Sequence, residues 1–157
     1  MHVTTMSRYG VRALFDVAYF GGGGPTRIKD ISARQGISMK YLEKIFHKLR
    51  KAGLLNSRRG PRGGYMLARE PSEITMRDIV SAADGPLVPV PVKCLSENGS
   101  QPKDCQYSDR CVSRHVWTET QRLLHDYYDS ISLADLCDLA RGQGVSPEVG
   151  HDEAHYG

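Results

Sequence analysis

The chain of 157 residues lacks any long apolar run, and its mean hydropathy is −0.44. This excludes a transmembrane helix, which needs about 20 consecutive apolar residues. The first ten residues, MHVTTMSRYG, also lack the basic stretch, the apolar stretch and the cleavage site of a secretory signal. We therefore expect a cytoplasmic protein with no membrane partner.

Signatures of catalysis are missing as well. The glycine run at residues 21–24 is not followed by the Lys-Ser/Thr pair of a phosphate-binding loop. The chain has no nucleophile elbow and no convincing acid–base pair. The sequence therefore predicts a protein that is not an enzyme.

Negative charge is scarce in one part of the chain. Between Thr26 and Tyr65, eleven Lys and Arg stand against only Asp30 and Glu43, a local balance of +9. Residues 66–157 carry eight Lys and Arg against fifteen Asp and Glu, so the whole chain is only +3. This asymmetry predicts that the first part meets a polyanion.

The basic part has the pattern of a helix-turn-helix. Apolar spacing predicts helices at about residues 7–20, 27–35 and 39–52. Thr26 and Ser38 are the predicted N-caps of the second and third helices, and Gly36 suits the left-handed residue between them. The third helix buries Leu42, Ile45, Phe46 and Leu49. Its predicted exposed side consists of Lys40, Tyr41, Glu43, Lys44, His47, Lys48 and Lys51. In this motif the start of the second helix of the pair enters the major groove of DNA.

A β-hairpin, or wing, is predicted next, with strands at 54–58 and 65–68 around the tip R-G-P-R-G-G. Arg58, Arg59 and Arg62 on such a hairpin can reach phosphates or enter a minor groove. A single surface Lys or Arg is more often a solvated charge. Eleven cations on one 40-residue unit of this pattern favour DNA binding.

The remainder of the chain predicts two further regions. A helix at 76–83, capped by Thr75, precedes a stretch to about residue 110 that has no periodicity and contains several prolines. A long helix at 111–129 follows, and its wide apolar stripe (Val112, Val116, Thr120, Leu123, Tyr127) favours self-association. Ser132 and Asp135 resemble a capping box for a last helix at 132–139. We therefore divide the chain into a winged helix-turn-helix domain at 1–84, a cysteine-bearing loop at 85–110, the dimerisation and terminal helices at 111–140, and a disordered tail at 141–157. The fold class is mainly α with a small β-hairpin.

Three of the four cysteines, Cys94, Cys105 and Cys111, follow the spacing C-x10-C-x5-C. In a cytoplasmic chain disulfides are disfavoured, and metal ligation is the leading alternative. Zinc usually takes a tight C-x2-4-C pair, which is missing, so the spacing favours an iron–sulfur cluster over zinc, and both over coincidence. A helix beginning at Cys111 would bring His115 to the same face, so His115 is a candidate fourth ligand; Asp109 or a residue of a partner subunit are alternatives. The fourth thiol, Cys137, lies between leucines and is predicted to be buried and structural.

Several stretches resemble the IscR-type family of bacterial winged-helix transcription regulators, to which NsrR, RirA and CymR belong. They are LFDVAYF, DISARQGISMKYLEKIFHKLRKAGLL, RGPRGGY and the late cysteines, which together span roughly residues 1–140. The resemblance implies a homodimer whose long helices cross at the interface and which binds an inverted-repeat operator in double-stranded DNA. It also implies cluster ligation by Cys94, Cys105 and Cys111.

The fourth ligand departs from the family pattern. IscR-like members hold a [2Fe–2S] cluster with three cysteines and a histidine three residues after the last, where this chain has Arg114. NsrR-like members hold a [4Fe–4S] cluster with three cysteines and an aspartate near the N-terminus, at a place that Arg8 occupies here. Cluster type and fourth ligand therefore stay open, with [2Fe–2S] preferred over [4Fe–4S].

The function predicted from the sequence is a homodimeric, DNA-binding transcription regulator whose activity an iron–sulfur cluster modulates by sensing redox state, iron or nitric oxide. The alternative is a cluster-free regulator that uses direct thiol oxidation or a protein partner. The pattern and the resemblance together give these candidate DNA contacts: Ser38, Lys40, Tyr41, Glu43, Lys44, Arg58, Arg59, Arg62 and Gly63.

Overall fold

The computed structural model describes residues 3–90, 94–95 and 110–147. In this part of the chain there are six α-helices and one two-stranded antiparallel sheet, which confirms the predicted fold class. The helices are α1 (Thr5–Phe20), α2 (Ile28–Gln35), α3 (Met39–Lys51), α4 (Met76–Asp84), α5 (Arg114–Asp129) and α6 (Leu133–Gly142). The strands are β1 (Leu55–Arg58) and β2 (Gly64–Leu67), and a 3-10 turn spans Pro71–Glu73.

The core lies where α1, α3 and α4 meet. The predicted apolar stripe of α3 is confirmed, because Leu42, Ile45, Phe46 and Leu49 are all fully buried. Gly10 of α1 is also buried, and a Cβ there would lie 3.7 Å from Ile45, so α1 packs closely against α3. The buried side of α3 is therefore fixed by close packing.

Three of the predicted N-caps are confirmed and one is wrong. Ser38 accepts from the backbone N–H of Tyr41, and Thr75 and Ser132 each form a capping box. Thr26 does not cap α2: Arg27 is the N-cap residue and makes no side-chain cap bond. The backbone N–H and C=O of Thr26 instead pair with Tyr65 of β2, at 2.8 Å each. Thr26 therefore belongs to the edge of the sheet.

Two helix boundaries after the cysteine-bearing loop also differ from the prediction. α5 begins at Arg114 rather than at Cys111, and α6 continues to Gly142 rather than ending near residue 139. Beyond α6 the chain stays packed, since the hydroxyl of Tyr19 donates to the carbonyl of Val145 at 2.5 Å. The first residues of the predicted disordered tail are thus structured, and residues 148–157 lie outside the described part.

A buried polar cluster joins α1 to α2. The carboxylate of Asp16 is fully buried and accepts from Arg34 at 2.7 and 3.0 Å and from the amide of Gln35 at 2.9 Å. Arg12 donates in turn to the side chain and the backbone carbonyl of Gln35. The hydrogen bond to Asp16 raises the pKa of Arg34 and keeps its guanidinium charged. The first helix of the helix-turn-helix, α2, is therefore held against α1 by a buried ion pair. Loss of either partner would leave the other charge buried without compensation.

The long helix α5 carries an uncovered apolar face. Val116, Leu123 and Tyr127 are more than half exposed, and Trp117 is 38% exposed. Val112, just before the helix, is 94% exposed. Helices of the described residues are all too short or too polar to cross a bilayer. An exposed apolar face of this kind is typical of an interaction surface, and the sequence predicts self-association through it.

Candidate nucleic-acid interface

The start of α3 presents charged side chains to solvent. Ser38 ends the turn after Gly36, whose φ of 63° is the left-handed conformation predicted for it. Lys40, Glu43 and Lys44 are exposed on the first turns of the helix, opposite its buried stripe. This is the end of a recognition helix that meets base edges in helix-turn-helix proteins.

Tyr41 is less exposed than predicted. Its ring packs edge-on against Tyr9 of α1, with centroids 5.8 Å apart, and Arg12 lies over the other ring of this pair. Local spacing placed Tyr41 on the outer side, but α1 covers part of it. The ring of Tyr41 thus helps to fix α3 against α1. Ser38 uses its oxygen as a helix cap, which leaves its O–H as the group that could donate to a phosphate.

The wing is a regular hairpin in which Leu55 pairs with Leu67 and Arg58 with Gly64. Its tip requires glycine. A Cβ on Gly63 would collide with the carbonyl of Arg58, and a Cβ on Gly64 would lie 2.5 Å from the carbonyl oxygen of Thr26. Gly63 thus has a steric reason to be glycine that is independent of DNA.

Two contacts seat the wing on the recognition helix. The rings of Phe46 in α3 and Tyr65 in β2 have centroids 4.6 Å apart. Arg50 of α3 donates to the hydroxyl of Ser57 in β1 at 3.1 Å. Because α3 and the wing are fixed to each other, their exposed cations are held at defined positions relative to one another.

The cations of this unit divide into two groups. Arg58, Arg59 and Arg62 are exposed, as are Lys40 and Lys44, so the predicted contact residues are accessible. Other cations donate hydrogen bonds to groups of the protein itself. A count of charges in the sequence does not separate these two groups. These are Arg27 to the carbonyl of Pro61, Arg34 to Asp16, Lys48 to the carbonyl of Ala83, and Arg50 to Ser57.

The thiols that the structure describes have different surroundings. Cys94 is exposed, and Cys111 lies in a turn just before α5. The Sγ of Cys111 is 3.4 Å from the hydroxyl of Ser113. That hydrogen bond lowers the pKa of Cys111 against the effect of burial, and the backbone N–H groups of Arg114 and Ser113 add to it. The lowered pKa increases the fraction of thiolate, which is the form that a metal or cluster binds, at this position.

The predicted ligand set is only partly brought together. His115 is exposed on α5, but Cys111 precedes that helix. The two residues therefore do not share a helix face, contrary to the prediction. Cys105 and Asp109 lie outside the described residues. Within residues 3–90, 94–95 and 110–147, no group of three or more His, Cys, Asp or Glu side chains could hold a metal ion.

Cys137 behaves as predicted for a structural thiol. It is 4% exposed and packs with Tyr19 and Ala140 between α6 and α1. Burial raises its pKa, so the protonated thiol is favoured. This cysteine therefore belongs to the packing and not to the ligand set.

The chain is similar to known regulators over most of its length. It is 40% identical to the transcriptional regulator IscR of Aliivibrio salmonicida over 154 residues, which is 98% of this chain and 88% of that protein. Among solved structures, IscR of T. potens matches with a TM-score of 0.71 and 37% identity over 93% of each chain. CymR, the global cysteine regulator of B. subtilis, matches with a TM-score of 0.69 and 32% identity, covering 88% of this chain and 98% of that one.

These proteins are transcriptional regulators and not enzymes, which confirms the prediction of a non-enzymatic chain. They also confirm the resemblance that the helix-turn-helix, the wing and the late cysteines carried. The family model described as Rrf2, iron-dependent transcriptional regulator, matches residues 3–139. With an exposed recognition helix, an arginine-bearing wing and this match, the chain belongs to the Rrf2 family of transcriptional regulators.

Proposed function

We propose that this regulator binds operators of defined sequence through α3 and the wing, as a homodimer on an inverted repeat. The observation that carries the proposal is the rigid unit of α3 and wing, whose exposed cations lie on elements packed together through Phe46 and Tyr65. Arginines of the wing would meet phosphates or a minor groove, and Lys40 and Lys44 would meet phosphates beside the major groove.

Glu43 is the candidate for reading bases. It is exposed on α3 between two lysines, and a carboxylate can accept a hydrogen bond from the amino group of cytosine. An acid that close to DNA phosphates lowers affinity unless it makes such a contact. Glu43 therefore contributes sequence preference, and the surrounding cations contribute affinity.

The apolar face of α5 supports the homodimer. Val116, Leu123 and Tyr127 are widely exposed in the single chain, and removing them from water would stabilise a pair of helices at about 25 cal/mol per Å². A two-fold dimer presents two recognition helices to two half-sites, which requires an operator with matching symmetry.

The thiols support iron–sulfur modulation. Cys94, Cys105 and Cys111 would hold the cluster, with His115, Asp109 or a partner residue as the fourth ligand. Cys111 fits this role because its surroundings favour the thiolate. When bound, the cluster would supply redox chemistry, because it can gain or lose an electron. Changed redox conditions can also destroy it.

The end of α4 and the first residues of the cysteine-bearing loop contact three other elements. Lys48 of α3 donates to the carbonyl of Ala83 at 2.5 Å, and Asp84 accepts from Thr4 and Ser7 at the start of α1. His125 of α5 donates to the carbonyl of Leu87 at 2.8 Å. A change in the cysteine-bearing loop can therefore act on α5 directly through Leu87, and on α3 through the end of α4.

Two substitutions test the DNA-binding half of the proposal. Arg62→Ala should weaken binding to every DNA sequence and lower the dependence of affinity on salt by about one phosphate contact. Glu43→Ala should change the ranking of operator variants, measured by fluorescence anisotropy on a set of single-base changes. An equal loss on all sequences for Glu43→Ala would contradict its base-reading role.

Anaerobic purification tests the cluster half. We expect a coloured protein that contains iron and sulfide, and Cys105→Ser should alter DNA affinity only in preparations that carry the cluster. A colourless, iron-free protein with full DNA affinity would favour the second candidate, direct thiol sensing. That candidate is supported by the exposure of Cys94 and the lowered pKa of Cys111.

A further inference from the structure

The tip of the wing is tethered to the start of α2. Arg27, the N-cap residue of α2, donates from Nη2 to the backbone carbonyl of Pro61 at 2.9 Å. Pro61 lies between Arg59 and Arg62, the two exposed cations of the tip. The donor is charged, which strengthens the hydrogen bond, and the bond lies at the exposed surface of the protein.

A second tether lies directly beside the first. Thr26 exchanges two backbone hydrogen bonds with Tyr65, each 2.8 Å long. Gly64 passes so close to the backbone of Thr26 that a side chain would not fit. The second strand of the wing is therefore fixed by residue 26 and the tip by residue 27, so the wing is aligned by the segment that leads into the helix-turn-helix.

We propose that Arg27 is a positioning residue for DNA binding: it holds the wing tip so that Arg59 and Arg62 meet the DNA together with α3. The inference rests on the proposed DNA contact of the wing. Without the guanidinium, the tip between the paired ends Arg58 and Gly64 keeps its charge but loses its fixed direction. Each contact made by the tip then has to overcome the loss of conformational freedom on binding.

The test is a double-mutant cycle between positions 27 and 62. Arg27→Met keeps the aliphatic stem but removes every donor, and Lys29→Met is the matched control, an exposed cation two residues further along that loses the same charge. In fluorescence anisotropy with operator DNA, we expect Arg27→Met to weaken binding about tenfold and to lower the salt slope as Arg62→Ala does. In the Arg62→Ala background, Arg27→Met should then cost less than it does in the unsubstituted chain, because only Arg59 remains for it to position.

Hydrogen exchange of the free protein supplies a measurement that does not depend on DNA. The amides of Gly60 and of residues 62–64 should exchange faster in Arg27→Met and at the unchanged rate in Lys29→Met, with the exchange of α3 unaffected in both. Unchanged exchange at the tip, or losses of affinity that multiply fully with Arg62→Ala, would overturn the proposal. If Arg62→Ala binds DNA normally, the proposed wing contact is wrong, and the exchange result still decides whether Arg27 positions the tip.

Discussion

Replacing Asp16 by Asn should destabilise the protein strongly without changing its shape. The carboxylate is fully buried and accepts hydrogen bonds from Nε and Nη2 of Arg34 and from the amide of Gln35. Removing one partner of a buried ion pair costs about 3–5 kcal/mol, because the other charge is left without compensation. The side chain of Arg34 is 20% exposed and can turn partly to water, so we expect the lower end, about 3 kcal/mol.

Urea unfolding measures this change. With a slope of about 1–3 kcal/mol per molar for a small protein, the midpoint should fall by about 1–3 M at an unchanged slope. The matched control is Asp138→Asn, whose partner Arg141 is 63% exposed; a surface pair of this kind contributes about 1 kcal/mol or less. If Asp16→Asn lowers the urea midpoint no more than Asp138→Asn does, the buried ion pair does not hold α2 against α1.

Three further predictions follow from other contacts. Leu123→Glu should produce a monomer in sedimentation velocity, because it places a charge on the exposed apolar face; a persisting dimer would exclude α5 as the interface. Gly64→Ala should cost more than about 1 kcal/mol in thermal unfolding, since its Cβ would lie 2.5 Å from the carbonyl oxygen of Thr26. Against the effect of burial, hydrogen bonds from Ser7 and Thr4 hold the pKa of Asp84 below its ordinary 3.8. That stabilisation is present above the unfolded pKa of about 4 and is lost as the pH falls through the folded pKa, so Asp84→Asn should reduce the difference in urea midpoint between pH 7 and pH 3.

The helix-turn-helix and wing could be predicted because their determinants are local. The stripe of α3, the cap at Ser38 and the left-handed Gly36 all act within a few residues of sequence. Each of these predictions is confirmed. The helix cap predicted at Thr26 was wrong, because a residue that can cap a helix can also pair with a strand. Only the position of Tyr65 decides between the two.

The partners of the charged residues could not be predicted, since they come from distant parts of the chain. Lys48 was assigned to the outer side of α3, yet its ammonium group reaches the carbonyl of Ala83. Tyr41 was assigned there too, and Tyr9 covers part of its ring. The assignments of DNA contacts and cluster ligands remain predictions, because local pattern indicates residue types and not what they bind.

The pairing of Thr26 with Tyr65 has a consequence for how the protein folds. A two-stranded hairpin is at best marginally stable in water, so the wing cannot form securely by itself. Thr26 pairs with the outer side of β2 as a third strand would, and α2, α3 and β1 separate it from Tyr65 along the chain. Ordering the wing therefore requires closure of a long chain segment, which places this step late in folding and makes the wing part of the same cooperative unit as the recognition helix.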